Sequence, residues 1–468
     1  MQECKLRRSS LALILSLLML AGKAAQAADT PAAASVIEQG KYLSIAADCG
    51  ACHNSPGPSG APMAGGYAVS SPMGNIIASN ITPSKIFGIG NYSEADFARA
   101  VREGVNAKGE YLYPAMPYTS YSKMTDSDIS ALYQYFMHDV NPVNKAAPAT
   151  HLPFPFSIRS TMALWDLLFA DNQRFTPDTQ GSAQLNRGNY LVNALEHCDT
   201  CHTPRNFMMG QKNSEALSGS QLGSWYAPNI TSDKTAGIGS WSNDELYRYL
   251  KTGHVNGKAQ AAGPMAEAID HSLQYLSDDD LHAIVAWLRQ VPPSGAAATV
   301  SRFDQGKPSE TENTLRSVAH PDAGWQIYSS TCASCHQANG EGSQFYPSLF
   351  HNSATGATTP DNLIATILFG VHRHADGQYI AMPAFGPAGA FSERLNDQQV
   401  ADVANYVLKH YGNAALSVTA DQVKTVREGG PTPIIVRLAN PAVLAGGVIV
   451  ILVLILLALR KRRKHVRK

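Results

Sequence analysis

The chain has 468 residues, 44% of them hydrophobic and 16% charged, and its 37 Lys and Arg balance 37 Asp and Glu. Low charge with ordinary apolar content excludes a disordered chain, and 37 Gly with 27 Pro is too few for a collagen-like one. The balance hides an asymmetry: residues 1–27 hold four basic and one acidic residue, and 460–468 hold seven basic and none acidic. The body, 28–459, is left with 26 basic and 36 acidic residues. That argues against nucleic-acid binding, which needs a basic face, and suits a partner with a positive docking patch.

Lys5, Arg7 and Arg8 precede the apolar run Leu11–Leu20, and Ala25-Gln26-Ala27 offers small residues for cleavage. Residues 1–27 therefore read as a secretory signal peptide that removes Cys4 with it. A first unit, 28–145, opens with a helix bearing Gly40 and Tyr42 and continues through Cys49-Gly50-Ala51-Cys52-His53, Asn80-Ile81-Thr82 and Gly88-Ile89-Gly90 to the loop Pro114-Ala115-Met116-Pro117. Thr125 with Asp128 then starts a helix whose face is Ile129, Leu132, Tyr133 and Phe136. In the linker 146–180, the aromatic stretch Leu152–Phe169 is expected to pack over a domain or a partner.

The second unit, 181–292, repeats the first at the offset of 149 that separates Cys49 from Cys198. Asn229-Ile230-Thr231, Gly237-Ile238-Gly239, Arg248, Gly253 and Met265 fall on Asn80-Ile81-Thr82, Gly88-Ile89-Gly90, Arg99, Gly104 and Met116. Gly188 and Tyr190 precede its motif, and Ser277 with Asp280 starts its last helix. After a polar linker, 293–316, the third unit, 317–412, is shorter, with 46 residues from His336 to Met382 against 63 from His53 to Met116. Gly370 and Met382 align with Gly104 and Met116 at an offset of 266, so the 17 missing positions lie between the motif and the helix Leu363–Gly370. Gly324 and Trp325 precede the motif, and Asn396 with Gln399 starts a helix faced by Val400, Val403, Ala404 and Val407.

Residues 413–440 form a juxtamembrane segment, since Ala442–Leu459 is eighteen residues without a charge. As a helix that run would span about 27 Å at ~1.5 Å per residue. The expectation is a transmembrane helix over 441–460 with a basic tail, 461–468, on the cytoplasmic side. The body would then lie on the periplasmic side of the inner membrane.

Without Cys4, the six cysteines form three Cys-x-x-Cys-His motifs: Cys49, Cys52 and His53; Cys198, Cys201 and His202; Cys332, Cys335 and His336. This is the c-type haem attachment pattern. Two thiols near one edge of the macrocycle form thioethers with its vinyl groups, and the adjacent imidazole reaches the iron. A disulfide framework is the broader alternative in an exported chain. It gives no reason for a histidine after every pair. Met116, Met265 and Met382, each beside a proline, recur at equivalent places and are expected as the second axial ligands, which raise the potential and fill the site. Met124 rivals Met116, and His372 and His374 offer a bis-His alternative. The order helix, motif, loop, helix, Met loop, helix resembles the small mono-haem cytochrome c fold three times over, so the expected class is all-α: three tandem mono-haem cytochrome c domains plus the C-terminal transmembrane helix.

The Asn-Ile-Thr and Gly-Ile-Gly segments with the Pro-Ala-Met-Pro, Gly-Pro-Met-Ala and Met-Pro-Ala-Phe-Gly loops resemble the tri-haem cytochrome c subunit of bacterial membrane-bound, quinone-linked alcohol, gluconate, sorbitol and aldehyde dehydrogenases. The likeness covers roughly residues 30 to 412. It implies three covalently bound haem c groups, on the residues named above, with Met116, Met265 and Met382 opposite His53, His202 and His336. It also implies a catalytic partner subunit carrying pyrroloquinoline quinone, flavin or molybdopterin, with a small third subunit as a further candidate, and ubiquinone as electron acceptor. An iron held on both sides has no position for substrate, and the chain shows no Gly-rich nucleotide loop or nucleophile elbow. No catalytic residue is assigned, and the chain reads as the electron-transfer subunit of an oxidoreductase acting on CH–OH or aldehyde donors. The alternatives are a multihaem peroxidase or reductase, which needs an open axial site, and a free-standing membrane-tethered shuttle to a terminal oxidase.

Overall fold

In each unit a helix that bears glycine precedes the Cys-x-x-Cys-His motif and crosses the helix that closes the unit. The computed structural model describes residues 30–443 apart from 58, 296–298, 310, 311, 344 and 345, together with 445, 446 and 453. Unit one runs α1 (Thr30–Ala46), α2 (Cys49–His53), hairpin β1–β2 (Ala68–Ser71, Gly74–Ile77), α3 (Glu94–Glu103), α4 (Tyr118–Tyr121) and α5 (Asp126–His138). The linker carries α6 (Thr161–Phe169). Unit two runs α7 (Ala183–Tyr190), a wide π turn over Leu191–Leu195, α8 (Cys198–His202), hairpin β3–β4 (Ser220–Leu222, Trp225–Ala227), α9 (Asn243–Thr252), hairpin β5–β6 (His254–Val255, Ala259–Gln260), α10 (Pro264–His271) and α11 (Asp278–Leu288). Unit three runs α12 (Glu312–Arg316), α13 (Ala323–Ile327), a second π turn over Tyr328–Cys332, α14 (Ala333–His336), α15 (Asp361–Phe369), hairpin β7–β8 (Val371–Ala375, Gln378–Met382) and α16 (Asp397–Tyr411). Helices α17 (Ala420–Arg427) and α18 (Ile434–Leu438) follow.

The crossings α1–α5, α7–α11 and α13–α16 are the main helix contacts. A Cβ on Gly40 would stand 2.0 Å from the Ala131 carbonyl oxygen, one on Gly188 2.0 Å from that of Ala283, and one on Gly324 2.2 Å from that of Asp402. Only a residue without Cβ lets the two backbones meet there. Around the crossings, Leu43, Ile129, Leu132 and Phe136 are buried in unit one, and Leu191, Leu281, Ile284 and Val285 in unit two. Tyr328, Val400, Ala404 and Val407 fill unit three. Thr125, Ser277 and Asn396 cap α5, α11 and α16 through their side chains.

The expected all-α class is corrected. Among the described residues, four separate two-stranded antiparallel sheets accompany the helices. They arise where an excursion between helices closes on itself as a hairpin and so satisfies its own backbone polar groups. The expected transmembrane helix is corrected too: among the described residues no helix is long and apolar enough to cross a membrane. Most of 441–460, the whole basic tail 461–468 and the signal peptide segment 1–27 lie outside the described residues. The inner-membrane placement of the body, which rested on that span, falls with it. Helix α17, in the segment expected beside the membrane, instead packs on α15 and α16, burying Val423 and Val426.

Units one and two are joined reciprocally. Tyr42 on α1 donates to Asp280 Oδ2 of unit two at 2.6 Å, and Tyr190 on α7 donates to Asp128 Oδ2 of unit one at 2.5 Å. Each phenol also accepts from the backbone N–H of the partner unit's helix cap, Ser277 and Thr125, both at 3.2 Å. The linker straddles both units: Arg159 donates to Tyr111 O, Asp166 accepts from Tyr118, and Trp165 donates to Met208 O. Unit three joins unit two through Asn362, which exchanges hydrogen bonds with the Tyr226 backbone, and through Arg373. Arg373 is fully buried and donates to Ala261 O at 2.7 Å and Gln260 Oε1 at 2.8 Å.

Candidate haem sites

In every unit the Cys-x-x-Cys-His motif lies at a helical turn. Spacing of three residues puts both thiols on one face of that turn, and all six cysteines are free and partly buried. Unpaired thiols at this spacing are the donor set for two thioethers on one macrocycle edge. Burial pushes the Cys49, Cys52 and Cys332 thiols up to about 12 and Cys201 to about 11, so they are held as neutral thiols.

The three imidazoles are aimed alike. His53 Nδ1 lies 2.7 Å from Ser79 O, His202 Nδ1 2.7 Å from Pro228 O, and His336 Nδ1 2.9 Å from Pro347 O. A carbonyl can only accept, so Nδ1 carries the proton and Nε2 keeps its lone pair for a metal. Burial lowers all three imidazoles, His202 to about 4, which keeps them in the neutral, ligating form.

The carbonyl is positioned by the segment that follows it. Asn80 Oδ1 accepts from Thr82 N and Oγ1 at 2.9 and 2.7 Å, and its amide donates to Val143 O and Lys145 O. Asn229 repeats this with Thr231 at 2.8 and 2.7 Å and donates to Ser294 O. The Asn-Ile-Thr segment is thus a turn lock that presents the preceding carbonyl to the histidine. Sequence reading noticed the repeat and missed its purpose, because the acceptor is a backbone atom. In unit three the acceptor lies 11 residues after the histidine instead of 26. Among the described residues no strand separates His336 from α15, so the missing positions correspond to the hairpin found there in units one and two.

Helices α3, α9 and α15 end at Gly104, Gly253 and Gly370, whose φ angles of 64°, 71° and 74° need glycine. Each glycine opens a short antiparallel return that leads to the methionine: Val105 pairs with Tyr111, His254 with Gln260, and Val371 with Met382. The methionines differ in setting. Met116 sits in the turn before α4, Met265 is the second residue of α10, and Met382 ends β8, so one proline-stiffened loop geometry does not describe all three. All three are partly buried against the cores. Met124, by contrast, is 1% exposed inside the core of unit one. His372 and His374 alternate onto the exposed face of β7, and His372 pairs with the Tyr379 hydroxyl at 2.8 Å.

The first two motifs are neighbours. Helix α10 packs on α2, and α4 packs on the π turn before α8. Ser120 on α4 donates to Asp199, inside the second motif, at 3.1 Å. The free thiol pairs, the fixed imidazole tautomer and the enclosed setting fit a covalent haem c, to whose iron Nε2 would be offered. Among the described residues, no group of three or more His, Cys, Asp and Glu gathers as it would around a bare metal ion.

Comparison with known proteins agrees with this chemistry. Residues 321–410 match the cytochrome c family model. The chain is 46% identical to the fructose dehydrogenase cytochrome subunit of Gluconobacter japonicus, over 96% of this chain and 97% of that one. It is 40% identical to the gluconate 2-dehydrogenase cytochrome c subunit of Pantoea cypripedii, over 90% and 95% of the two chains. Identity to the cytochrome c subunit of the quinone alcohol dehydrogenase of Gluconacetobacter polyoxogenes is 37%, over 88% of each.

Proposed function

The chain belongs to the family of cytochrome c electron-transfer subunits of membrane quinone-linked dehydrogenases, and we propose that within it each of the three units carries one covalent haem c. Cys49, Cys52, His53 and Met116 would hold the first. Cys198, Cys201, His202 and Met265 would hold the second, and Cys332, Cys335, His336 and Met382 the third. When bound, haem c supplies a one-electron ferric–ferrous couple. The two thiols of each motif would attach it, the backbone carbonyl at Nδ1 orients the imidazole that would hold its iron, and the methionine would supply the second ligand.

The chain receives electrons from a catalytic dehydrogenase subunit and delivers them to ubiquinone. Its donor is a flavin, pyrroloquinoline quinone or molybdopterin protein that oxidises a CH–OH or aldehyde group. Residues 1–27 serve as the export signal. The observation that supports three haems is the threefold recurrence of a free thiol pair followed by a histidine whose Nδ1 meets a carbonyl at 2.7–2.9 Å.

The test is the intact mass of the mature chain, which should exceed the bare polypeptide by three haem groups; two or fewer would overturn the reading. Purified alone, the chain should oxidise no alcohol, aldehyde or sugar acid. Turnover without a second subunit would reassign it as an enzyme.

A further inference from the structure

Met116 has the slightest support of its own among the three methionines. It lies in a turn, where its N–H donates to Tyr113 O at 3.2 Å and its carbonyl accepts from Tyr118 N at 2.8 Å, ahead of the four-residue α4. Met265 is built into the eight-residue α10, and Met382 into the five-residue strand β8.

The linker between units one and two grips that turn on both sides. Before Met116, Arg159 Nη1 donates to Tyr111 O at 3.0 Å, and its guanidinium lies 4.8 Å from the centroid of the Tyr113 ring. The Tyr113 hydroxyl donates in return to Phe156 O at 2.9 Å. After Met116, the buried Tyr118 donates to Asp166 Oδ1 on α6 at 2.7 Å. The Tyr118 ring is pressed against Gly104, where a Cβ would stand 2.7 Å from it. Further along, Ser122 Oγ donates to Asp171 O and Arg174 Nη1 donates to Ser122 O, both at 2.8 Å.

The grip is anchored on unit two. Trp165, beside Asp166 on α6, donates to Met208 O at 3.0 Å, and Phe169 lies so close to Gly210 that a Cβ there would stand 2.4 Å from its ring. Arg205 ties this loop to the second motif by donating to Met209 O at 2.9 Å and Thr200 O at 2.8 Å. Contacts therefore run without a break from the second motif, through α6, to both flanks of Met116. At the offset of 149, Tyr113 and Tyr118 fall on Ala262 and Glu267, and Arg159 and Asp166 on Pro308 and Leu315, so the brace is not part of the repeat.

We propose that the linker positions the Met116 thioether for the haem of unit one, with Arg159 and Asp166 as its positioning residues. This rests on the reading given above, in which Met116 is the second ligand there. Keeping one thioether in place means confining the backbone of its turn, and the freedom so lost has to be offset by contacts from outside the turn. Hydrogen bonds at fixed points on both flanks supply them without touching the sulphur.

The experiment compares the full haem-loaded chain with its M116A, R159A, D166A, D166N and R159A/D166A variants, with haem content measured on each. The readouts are carbon monoxide binding to the reduced protein and a potentiometric titration. M116A should bind carbon monoxide at one haem. R159A/D166A keeps Met116, yet that haem should bind carbon monoxide roughly tenfold faster or more than in the unaltered chain. Its couple should fall until the ferrous-to-ferric ratio drops about tenfold at fixed potential, about 59 mV for one electron. R159A and D166A should each act in the same direction by less. D166N keeps an acceptor for Tyr118 and should behave as the unaltered chain, a rescue that loss of general stability would not give. Unchanged carbon monoxide binding and potentials in R159A/D166A, where M116A does bind carbon monoxide, would overturn the proposal. Should the double variant fail to load haem, the same null result in both single variants would overturn it as well. An M116A variant that binds no carbon monoxide would instead refute the ligand reading on which the proposal rests.

Discussion

Replacing Gly324 by alanine should loosen unit three by prising apart α13 and α16. The added Cβ would meet Asp402 O at 2.2 Å, Asp402 C at 2.8 Å and Tyr406 Cβ at 2.8 Å. The nearest atom is backbone inside a helix and cannot swing away, so the helices must part by about 1 Å to reach van der Waals distance. A radial gap of roughly 0.5–1 Å forfeits a quarter to a half of each dispersion well along the seam. Overpacking of this kind costs about 2–3 kcal/mol, whereas the same substitution at an open helical position gains about 1 kcal/mol. The sign alone therefore discriminates. Guanidinium denaturation of the haem-loaded full chain, followed by far-ultraviolet circular dichroism and by Soret absorption, should show an early transition displaced to lower denaturant. Gly188→Ala, 2.0 Å from Ala283 O, should act in the same direction in unit two. An unchanged or higher midpoint in both variants would refute the close-crossing argument.

The reciprocal tyrosines give a second test: Tyr42→Phe and Tyr190→Phe should each cost about 1–3 kcal/mol, because each leaves a partly enclosed carboxylate short of a donor. Although burial pushes the Asp280 carboxyl up, hydrogen bonds from Arg187 and Tyr42 prevail and hold it below the usual value. Its contribution is accordingly full above about pH 3.9 and is lost as pH falls through the lower native value. D280N should flatten that acid limb in a pH series of thermal melts. Arg373→Gln should release the β7–β8 hairpin from unit two at a cost of about 1.5–3 kcal/mol, and limited proteolysis should then cut faster within 293–316. Met382→Ala should open one axial position, so that the reduced variant binds carbon monoxide at one haem. A carbon monoxide difference spectrum identical to that of the unaltered chain would remove Met382 as a ligand.

Much of the site chemistry was legible in the sequence because it is local. A motif of five residues puts two thiols and an imidazole on one helical turn wherever it folds, and two copies 63 residues ahead of a methionine with a third 46 residues ahead of one are hard to produce otherwise. Helix caps were equally readable: Thr125, Ser277 and Asn396 each accept the backbone N–H three residues on. In α16 Gln399 also reaches back to the Asn396 N–H. Asp128 and Asp280, at the same position, face the tyrosines of the neighbouring unit instead. Nothing in the local sequence separates these two fates. The small hairpins were missed because they are two to five residues long and carry no sustained alternation. The C-terminal apolar run was read from composition alone, and among the described residues no helix is long and apolar enough to cross a membrane.

What the sequence determined by itself was the chemistry each unit can hold, since thiol, imidazole and thioether follow from residue type and short spacing. Tertiary structure decided which backbone carbonyl fixes each imidazole and which unit's tyrosine takes each helix-cap carboxylate. It also decided that an arginine and a carboxylate of the linker reach the two flanks of the Met116 turn. These contacts join atoms 11 to 238 positions apart. Their geometry depends on how whole helices cross, and a glycine at the crossing permits that approach without stating what it will bring together.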